Sequence, residues 1–332
     1  MPCYHPIYAY DASPGYPDPD LMDFSKPRQI EFCHALEDVE KARRQGRLLM
    51  LPCRQCVGCR LSKSREWANR VVMEQLYHVE SWFLTLTYND EHLPRSFPVD
   101  EATGEILSVH GTLVKEDLQK FLKRLRKNSG QKLRFFAAGE YGSLNMRPHY
   151  HLLIFGLHLE DLQLLRKSPL GDEYYTSSLL EKCWPFGFHI LGRVTWQSAA
   201  YVARYTMKKA SKGYDKDLYK KAALQPEFQV MSNRPGLARQ YYEDHPDIFR
   251  YLSFNVSTPQ GGRKMYPSEY FRKLYRDGHE RELFERSLRT REELEVENHL
   301  KNMLTDLSYD DILKEDEERE FRRLSHLHRD LI

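Results

Sequence analysis

The alternation of apolar and polar positions divides the chain into short strands and amphipathic helices. Residues 80–88, Glu-Ser-Trp-Phe-Leu-Thr-Leu-Thr-Tyr, are rich in β-branched and aromatic side chains and are closed by Asn89-Asp90, which predicts a strand. Residues 89–111 read as a long loop or hairpin. From Val114 to Asn128 the apolar residues Leu118, Phe121, Leu122 and Leu125 recur at helical spacing with lysines and arginines between them, predicting an amphipathic helix with a basic outer face. Lys132 to Gly139 and Arg147 to Gly156 read as two strands joined by a turn over Gly142 to Arg147. The pattern over 157–183 reads as helical with a loop at Ser168 to Tyr175, Phe188 to Val194 as a strand, and Gln197 to Lys209 as a helix. Residues 1–50 read as irregular with short strands at most, and a helix follows from about Ser62 to His78. Beyond Lys212, Pro226, Pro235, Gly236, Pro246, Pro259, Gly261 and Gly262 mark loops between short elements. Residues 268–303 are highly charged and read as helical, and 309–328 are charged again. The fold class is therefore α+β. Three regions are expected: an N-terminal segment over 1–60, a central domain over 61–215, and a loop-rich then helical C-terminal region over 216–332.

Within the second strand of the predicted hairpin, side-chain alternation puts His149, His151, Leu153 and Phe155 on one face and Tyr150, Leu152 and Ile154 on the other. Two imidazoles thus project together from a segment that is otherwise core. If the hairpin is simple, Tyr141 lies opposite Pro148 and Glu140 opposite His149, and directly opposed residues share a face. His149, His151 and Glu140 then form a set of nitrogen and oxygen donors suited to Mg or Mn, with positions open for substrate oxygens. A bulge would shift that pairing by one residue. In the 197–209 helix, Tyr201 and Tyr205 stand four residues apart on one face, with Lys208 one turn beyond.

Composition narrows the classes. At 332 residues, 41% hydrophobic and 12% aromatic, the chain has ample material for a core. No run approaches a membrane span, and the start Met1-Pro2-Cys3-Tyr4-His5 lacks a secretory pattern, so a soluble protein is expected. The net charge of +2 hides an asymmetry: basic residues crowd 41–70, 115–134 and 204–221, and acids gather over 310–320. Such clusters suit a polyanion, with Lys120, Lys123, Arg124, Arg126, Arg204 and Lys209 as candidate DNA contacts. Six cysteines do not make a disulfide scaffold, and Cys53, Cys56 and Cys59 form a C-x2-C-x2-C run suited to a structural zinc. Cys3, His5 and Cys33 are each candidates for the fourth ligand. No Gly-x4-Gly-Lys-Ser/Thr loop occurs, so an ATP-driven motor is not indicated.

The ordered set of Phe83 to Tyr88, then Gly139-Glu140-Tyr141-Gly142 with Arg147-Pro148-His149-Tyr150-His151, then Tyr201 to Lys208 resembles the three motifs of the HUH rolling-circle replication initiators. The resemblance covers about residues 50–215. With Met1-Pro2-Cys3-Tyr4-His5-Pro6 and the 52–60 cysteine run, it is most similar to the initiators of microviruses, the gokushovirus branch of small single-stranded DNA phages. It implies a central antiparallel sheet flanked by helices, RRM-like, with the histidines on a middle strand and the tyrosine hydroxyls facing the metal. It implies cutting of one DNA strand by Tyr201 or Tyr205, leaving a 5′-phosphotyrosine and a 3′-hydroxyl primer, with Lys208 assisting and Mg or Mn as cofactor. The partners so implied are single-stranded or origin-strand DNA and the host replicative helicase and polymerase, in the cytoplasm of an infected bacterium. Two rivals differ in class. A His-x-His metallohydrolase would continue His-x-His-x-Asp-His, whereas Leu152 and Leu153 follow here; a non-catalytic zinc-dependent nucleic-acid binder would use the cysteine run and basic helices alone.

Overall fold

A computed structural model describes residues 3–100, 103–142, 145–169, 171–205, 216–258 and 261–325, with the side chains of 204, 205 and 216–218 left aside. In chain order the elements are β1 (Ile7–Asp11), β2 (Ile30–Phe32), α1 (Leu36–Arg44), β3 (Leu48–Leu51), α2 (Val57–Gln75), β4 (Ser81–Tyr88), β5 (Arg95–Ser96), β6 (His110–Gly111) and α3 (Lys115–Ser129). There follow β7 (Arg134–Tyr141), β8 (Pro148–Phe155), β9 (Leu162–Lys167), β10 (Glu173–Ser177), α4 (Ser178–Cys183), β11 (Gly187–Arg193) and α5 (Trp196–Tyr205). The last are α6 (Lys216–Lys221), β12 (Phe228–Met231), α7 (Arg239–Asp244), β13 (Phe254–Thr258), β14 (Gly261–Met265), α8 (Glu269–Met303) and α9 (Tyr309–Ser325).

The architecture is α+β, built on an antiparallel sheet of order β12-β7-β8-β4-β11-β10-β9. The alternation read from the sequence decides which side chain goes where. Trp82, Leu84, Leu86 and Tyr88 of β4 join Tyr150, Leu152 and Ile154 of β8 in a core covered by Leu118, Phe121, Leu122 and Leu125 of α3 and by Leu180 and Cys183 of α4. On the other face Phe83, Phe136, Ala138, Leu153 and Phe155 pack under Trp67, Ala68 and Val71 of α2 and Ala199, Ala200, Val202 and Ala203 of α5. β8 is therefore a central strand between β7 and β4, buried on both faces along most of its length.

Contacts divide the chain into two compact units, one of residues 63–266 and one that joins 1–62 to 267–332. This differs from the expected division at 60 and 215. β12 pairs with β7 from Phe228↔Gly139 to Met231↔Phe136, so chain beyond 215 completes the central sheet. The helical reading of 157–183 is also corrected. Most of it is the hairpin β9–β10, with helix confined to α4, where the Ser177 hydroxyl caps Leu180. Leu164 and Leu165 are both about half exposed on β9, the sheet's outer strand. The smaller unit contains the sheet β2-β1-β3 and helices α1, α8 and α9.

Candidate active site

The β7–β8 hairpin is simple, with register Glu140↔His149 and Tyr141↔Pro148 as the sequence predicts. On the other side of β8, Thr85 lies opposite His151 and Thr87 opposite His149. Two rows of side chains consequently cross one face of the sheet: Glu140, His149, Thr87 and Phe188 in the first, and Ala138, His151, Thr85 and Ile190 in the second. α2 and α5 cover the sheet beyond the second row. His151 and Glu140 are buried, whereas His149 is partly exposed and Phe188 is 65% exposed at the open end.

Each imidazole is held through Nδ1. Thr85 Oγ1 stands 3.0 Å from His151 Nδ1, and Thr87 Oγ1 3.0 Å from His149 Nδ1. The Nε2 of His151 lies 2.7 Å from Glu140 Oε1. Around these groups the β7–β8 connection is tied down by Arg147, which donates to the Tyr88 carbonyl from Nε (3.1 Å) and Nη2 (2.7 Å) and to Asp90 from Nη1 (2.8 Å). Gly142 lies close against the site: a Cβ there would sit 3.0 Å from His149 Nε2, so the ring would have to give by a few tenths of an ångström. Burial, then His151 and the Arg147 guanidinium, push His149 down to about 4, so its ring is neutral at pH 7 and able to ligate a cation.

Tyr201 reaches the same place from α5. Its ring meets the His151 ring edge-on at 5.3 Å between centroids and also contacts Phe83, which stacks on His151 at 5.7 Å with only 7° between planes. α5 begins with a reciprocal cap, Ser198 N–H donating to Thr195 Oγ1 and Thr195 N–H to Ser198 Oγ. Two side-chain bonds fasten α5 to α2, Ser64 Oγ to the Ala200 carbonyl at 2.9 Å and Trp196 Nε1 to Asn69 Oδ1 at 3.0 Å. Tyr205 is the last described residue of α5, one turn beyond Tyr201; its side chain, that of Arg204, and Lys208 and Lys209 altogether lie outside the described parts.

The sequence-predicted residues are thus partly gathered. Glu140, His149, His151 and Tyr201 share one face, but the three expected ligands do not converge tightly: among the described residues, Cys3, Cys53, Cys56 and Cys59 are the group whose ligand atoms all lie within 4.8 Å of one another. That cluster could hold a metal such as zinc, and of the three candidates for a fourth ligand it is Cys3 that stands beside the 53–59 run. His5 instead bonds Glu317 at 2.6 Å, and Cys33 stands outside the group. Burial pushes Cys3 and Cys59 up; at Cys53 it acts the same way, yet the amides of Gln55 and Cys56 together with the Cys3 and Cys56 side chains bring the thiol down to about 7.

The basic helix α3 packs on the face opposite the histidines. Its Lys120 and Lys123 are exposed there, while Arg124 donates to the Cys183 carbonyl at 2.7 Å and Arg126 to that of Leu133 at 3.3 Å. Periodicity identified the basic surface without saying which side of the sheet it would cover. Thr85 and Thr87 are the site residues that sequence reasoning missed. The available signal was the interruption of the apolar pattern of β4 by two hydroxyls on one face, a face shared with the histidines once β4 is paired with β8.

Residues 81–210 match the family described as replication-associated protein ORF2/G2P. The chain is 39% identical over 226 residues to replication-associated protein ORF2 of Spiroplasma virus 4, a stretch covering 67% of this chain and 66% of that protein. It is 37% identical over 166 residues to replication-associated protein VP4 of Bdellovibrio phage phiMH2K, half of each chain, and 31% identical over 235 residues to replication-associated protein ORF4 of Chlamydia phage 1, covering 68% of this chain and 53% of the other. The matches span between half and two thirds of these relatives' own lengths. No solved structure matches the chain. The matched segment runs from β4 through the histidine hairpin to the tyrosine helix, and through it the chain belongs to the replication-associated protein ORF2/G2P family.

Proposed function

We propose that the protein is a rolling-circle replication initiator that nicks one strand of phage DNA at the origin by tyrosine transesterification and later rejoins the displaced strand. The observation that carries this reading is the meeting of a tyrosine ring with a row of imidazole and carboxylate donors on one open end of a sheet face, within the segment that matches a replication-associated family. A phenol attacks a phosphodiester poorly at pH 7, since its pKa is about 10. Tyr201, or Tyr205 one turn along, would form the new oxygen–phosphorus bond to the 5′ side while the 3′ oxygen leaves as a hydroxyl that primes synthesis. Reversal of the same exchange closes the displaced strand and needs no nucleotide triphosphate.

The donor set His149, His151 and Glu140 fits a divalent cation such as Mg or Mn in chemistry, and side-chain turning would bring the three together. Bound there, the ion would polarise the scissile phosphate and offset charge on its oxygens. The protein's own groups supply the rest. Thr85 and Thr87 orient the imidazoles, Phe83 and His151 fix the tyrosine ring, and Arg147 holds the loop beside them. Lys208 is proposed to neutralise further phosphate charge. Single-stranded or origin-strand DNA is the proposed substrate and the host helicase and polymerase the proposed partners, in the cytoplasm of the infected cell. Among the described residues no helix is long and apolar enough to cross a membrane.

The test is cleavage of a labelled origin-region single strand with Mn or Mg. Cleavage that disappears in EDTA and in His151→Ala is expected. DNA binding without cleavage under any ion would instead favour a non-catalytic binder built around the cysteines.

A further inference from the structure

The smaller unit draws its chain from both ends of the sequence, and near its cysteines the apolar cluster that joins them is small. Around its cysteines the buried cluster consists of Tyr4, Cys56, Val57 and Leu313, with Leu61, Tyr309 and Leu324 against it. In the middle of this cluster are four sulfurs with no disulfide between them. Five backbone amides point at those sulfurs: Cys53 N–H at Cys3 Sγ (3.2 Å), Gln55 and Cys56 N–H at Cys53 Sγ (3.4 and 3.3 Å), and Tyr4 and Cys59 N–H at Cys56 Sγ (both 3.4 Å). Arg54 takes a left-handed conformation, φ 61°, in the turn that presents the Gln55 and Cys56 amides. Cys59 lies in the first turn of the 19-residue helix α2, whose N-terminus favours a thiolate.

Amide donors aimed at sulfur are the outer shell of a metal thiolate centre, where they spread negative charge that four neighbouring anions could not otherwise tolerate. The spacing selects the kind of centre. A tetrahedral ion with metal–sulfur bonds of about 2.3 Å holds its sulfurs ~3.8 Å apart, and Cys3 and Cys56 stand at 3.9 Å. A multi-iron cluster places iron and sulfide between its cysteines and needs a wider cage than sulfurs within 4.8 Å provide.

We infer that Cys3, Cys53, Cys56 and Cys59 bind one zinc ion in a closed four-thiolate site that staples the N-terminal segment to the start of α2 and gives α9 the surface on which Leu313 is buried. Four protein ligands leave no position for substrate, so the ion is structural. Each thiol gives its proton to solvent as its zinc–sulfur bond forms, and no change of oxidation state is involved. The site belongs to the smaller unit, uses none of the residues proposed to nick DNA, and does not depend on the function proposed for them.

The full chain, purified in reducing buffer without chelator, is assayed for metal by mass spectrometry and then reconstituted with cobalt(II). One zinc per chain is expected, and the cobalt form should show the intense thiolate charge-transfer and visible bands of tetrahedral four-sulfur coordination. Cys3→Ser should weaken zinc retention at least tenfold in competition with a chelating dye, and His5→Ala should leave it unchanged. Hydrogen exchange on zinc removal should rise over 3–11 and 309–325 while 81–88 and 148–155 stay protected. Metal-free protein with all four thiols alkylated at the rate of free cysteine would overturn the inference, as would iron in place of zinc or a Cys3→Ser variant that holds zinc as tightly as the parent. The cobalt spectrum of the parent chain decides the matter even if the variant does not fold.

Discussion

Thr85→Val is a perturbation whose consequences can be followed through the structure. The substitution keeps the β-branched shape that β4 requires and removes one hydroxyl, which faces His151 Nδ1 at 3.0 Å in a buried setting. A hydroxyl can donate or accept. If His151 held the proposed ion through Nε2, its ring proton would sit on Nδ1 and need an acceptor, and Thr85 Oγ1 is placed to be that acceptor. Valine leaves this buried N–H facing a methyl group, which costs about 1–3 kcal/mol. Loss of such a supporting bond typically lowers metal affinity about 10–100-fold, or roughly 1.4–2.7 kcal/mol. Manganese titration by calorimetry should show that loss in Thr85→Val, with recovery in Thr85→Ser. Thr87→Val should lose less, because His149 is partly exposed and water can replace the hydroxyl. A Thr85→Val protein that binds manganese within twofold of the parent would refute the argument that this hydroxyl positions the ligand.

Other expectations follow from the same geometry. Leu152→Ala, at a fully buried site between β7 and β4, should cost about 2–5 kcal/mol in urea unfolding without altering the residues around the histidines. His149 is held down to about 4, below its ordinary value near 6.5, so the unfolded chain binds the extra proton first; this group's contribution is complete above about pH 6.5 and is lost as pH falls toward 4, which urea titrations of the parent and His149→Asn would show as a weaker pH slope in the variant. Gly142→Ala should reduce cleavage more than stability, since its Cβ would press on His149 Nε2 at 3.0 Å. DNA affinity should fall steeply between low and physiological salt as lysines and arginines release counterions, and Lys120→Ala with Lys123→Ala should leave cleavage of a short single strand unchanged because α3 lies across the sheet from the histidines.

How much of this was legible in the sequence depended on whether the signal was local. The hairpin register was readable because a short turn region joins two alternating strands, so Glu140 and His149 could be paired by counting. Helix α3 was readable from Leu118, Phe121, Leu122 and Leu125, but the face of the sheet it covers follows from strand order, which periodicity does not encode. β9 and β10 were missed because Leu162 to Lys167 offers both leucine-rich helical spacing and strand length, and pairing with β10 decides between them. Cys3 could not be singled out as the fourth sulfur, since it comes to the 53–59 run from fifty residues away. Thr85 and Thr87 were visible only as strand formers until β4 was set beside β8. The two compact units were hidden for the same reason: one of them is assembled from the two ends of the chain, and the change from loop-rich to highly charged sequence near residue 268 does not say that the charged stretch packs with residues 1–62.

The central claim is that a tyrosine of α5 is the nucleophile. Incubating the protein with an origin-region single strand and manganese, then digesting and sequencing the covalent adduct by mass spectrometry, tests it most directly. The account predicts a 5′-phosphodeoxynucleotide on Tyr201 or Tyr205, with adduct surviving in Tyr201→Phe or Tyr205→Phe alone and absent from the double variant. If both tyrosines serve in turn, adducts on each will be recovered from the parent. Undiminished adduct in the double variant, or a phosphodeoxynucleotide attached to a residue outside α5, would contradict it.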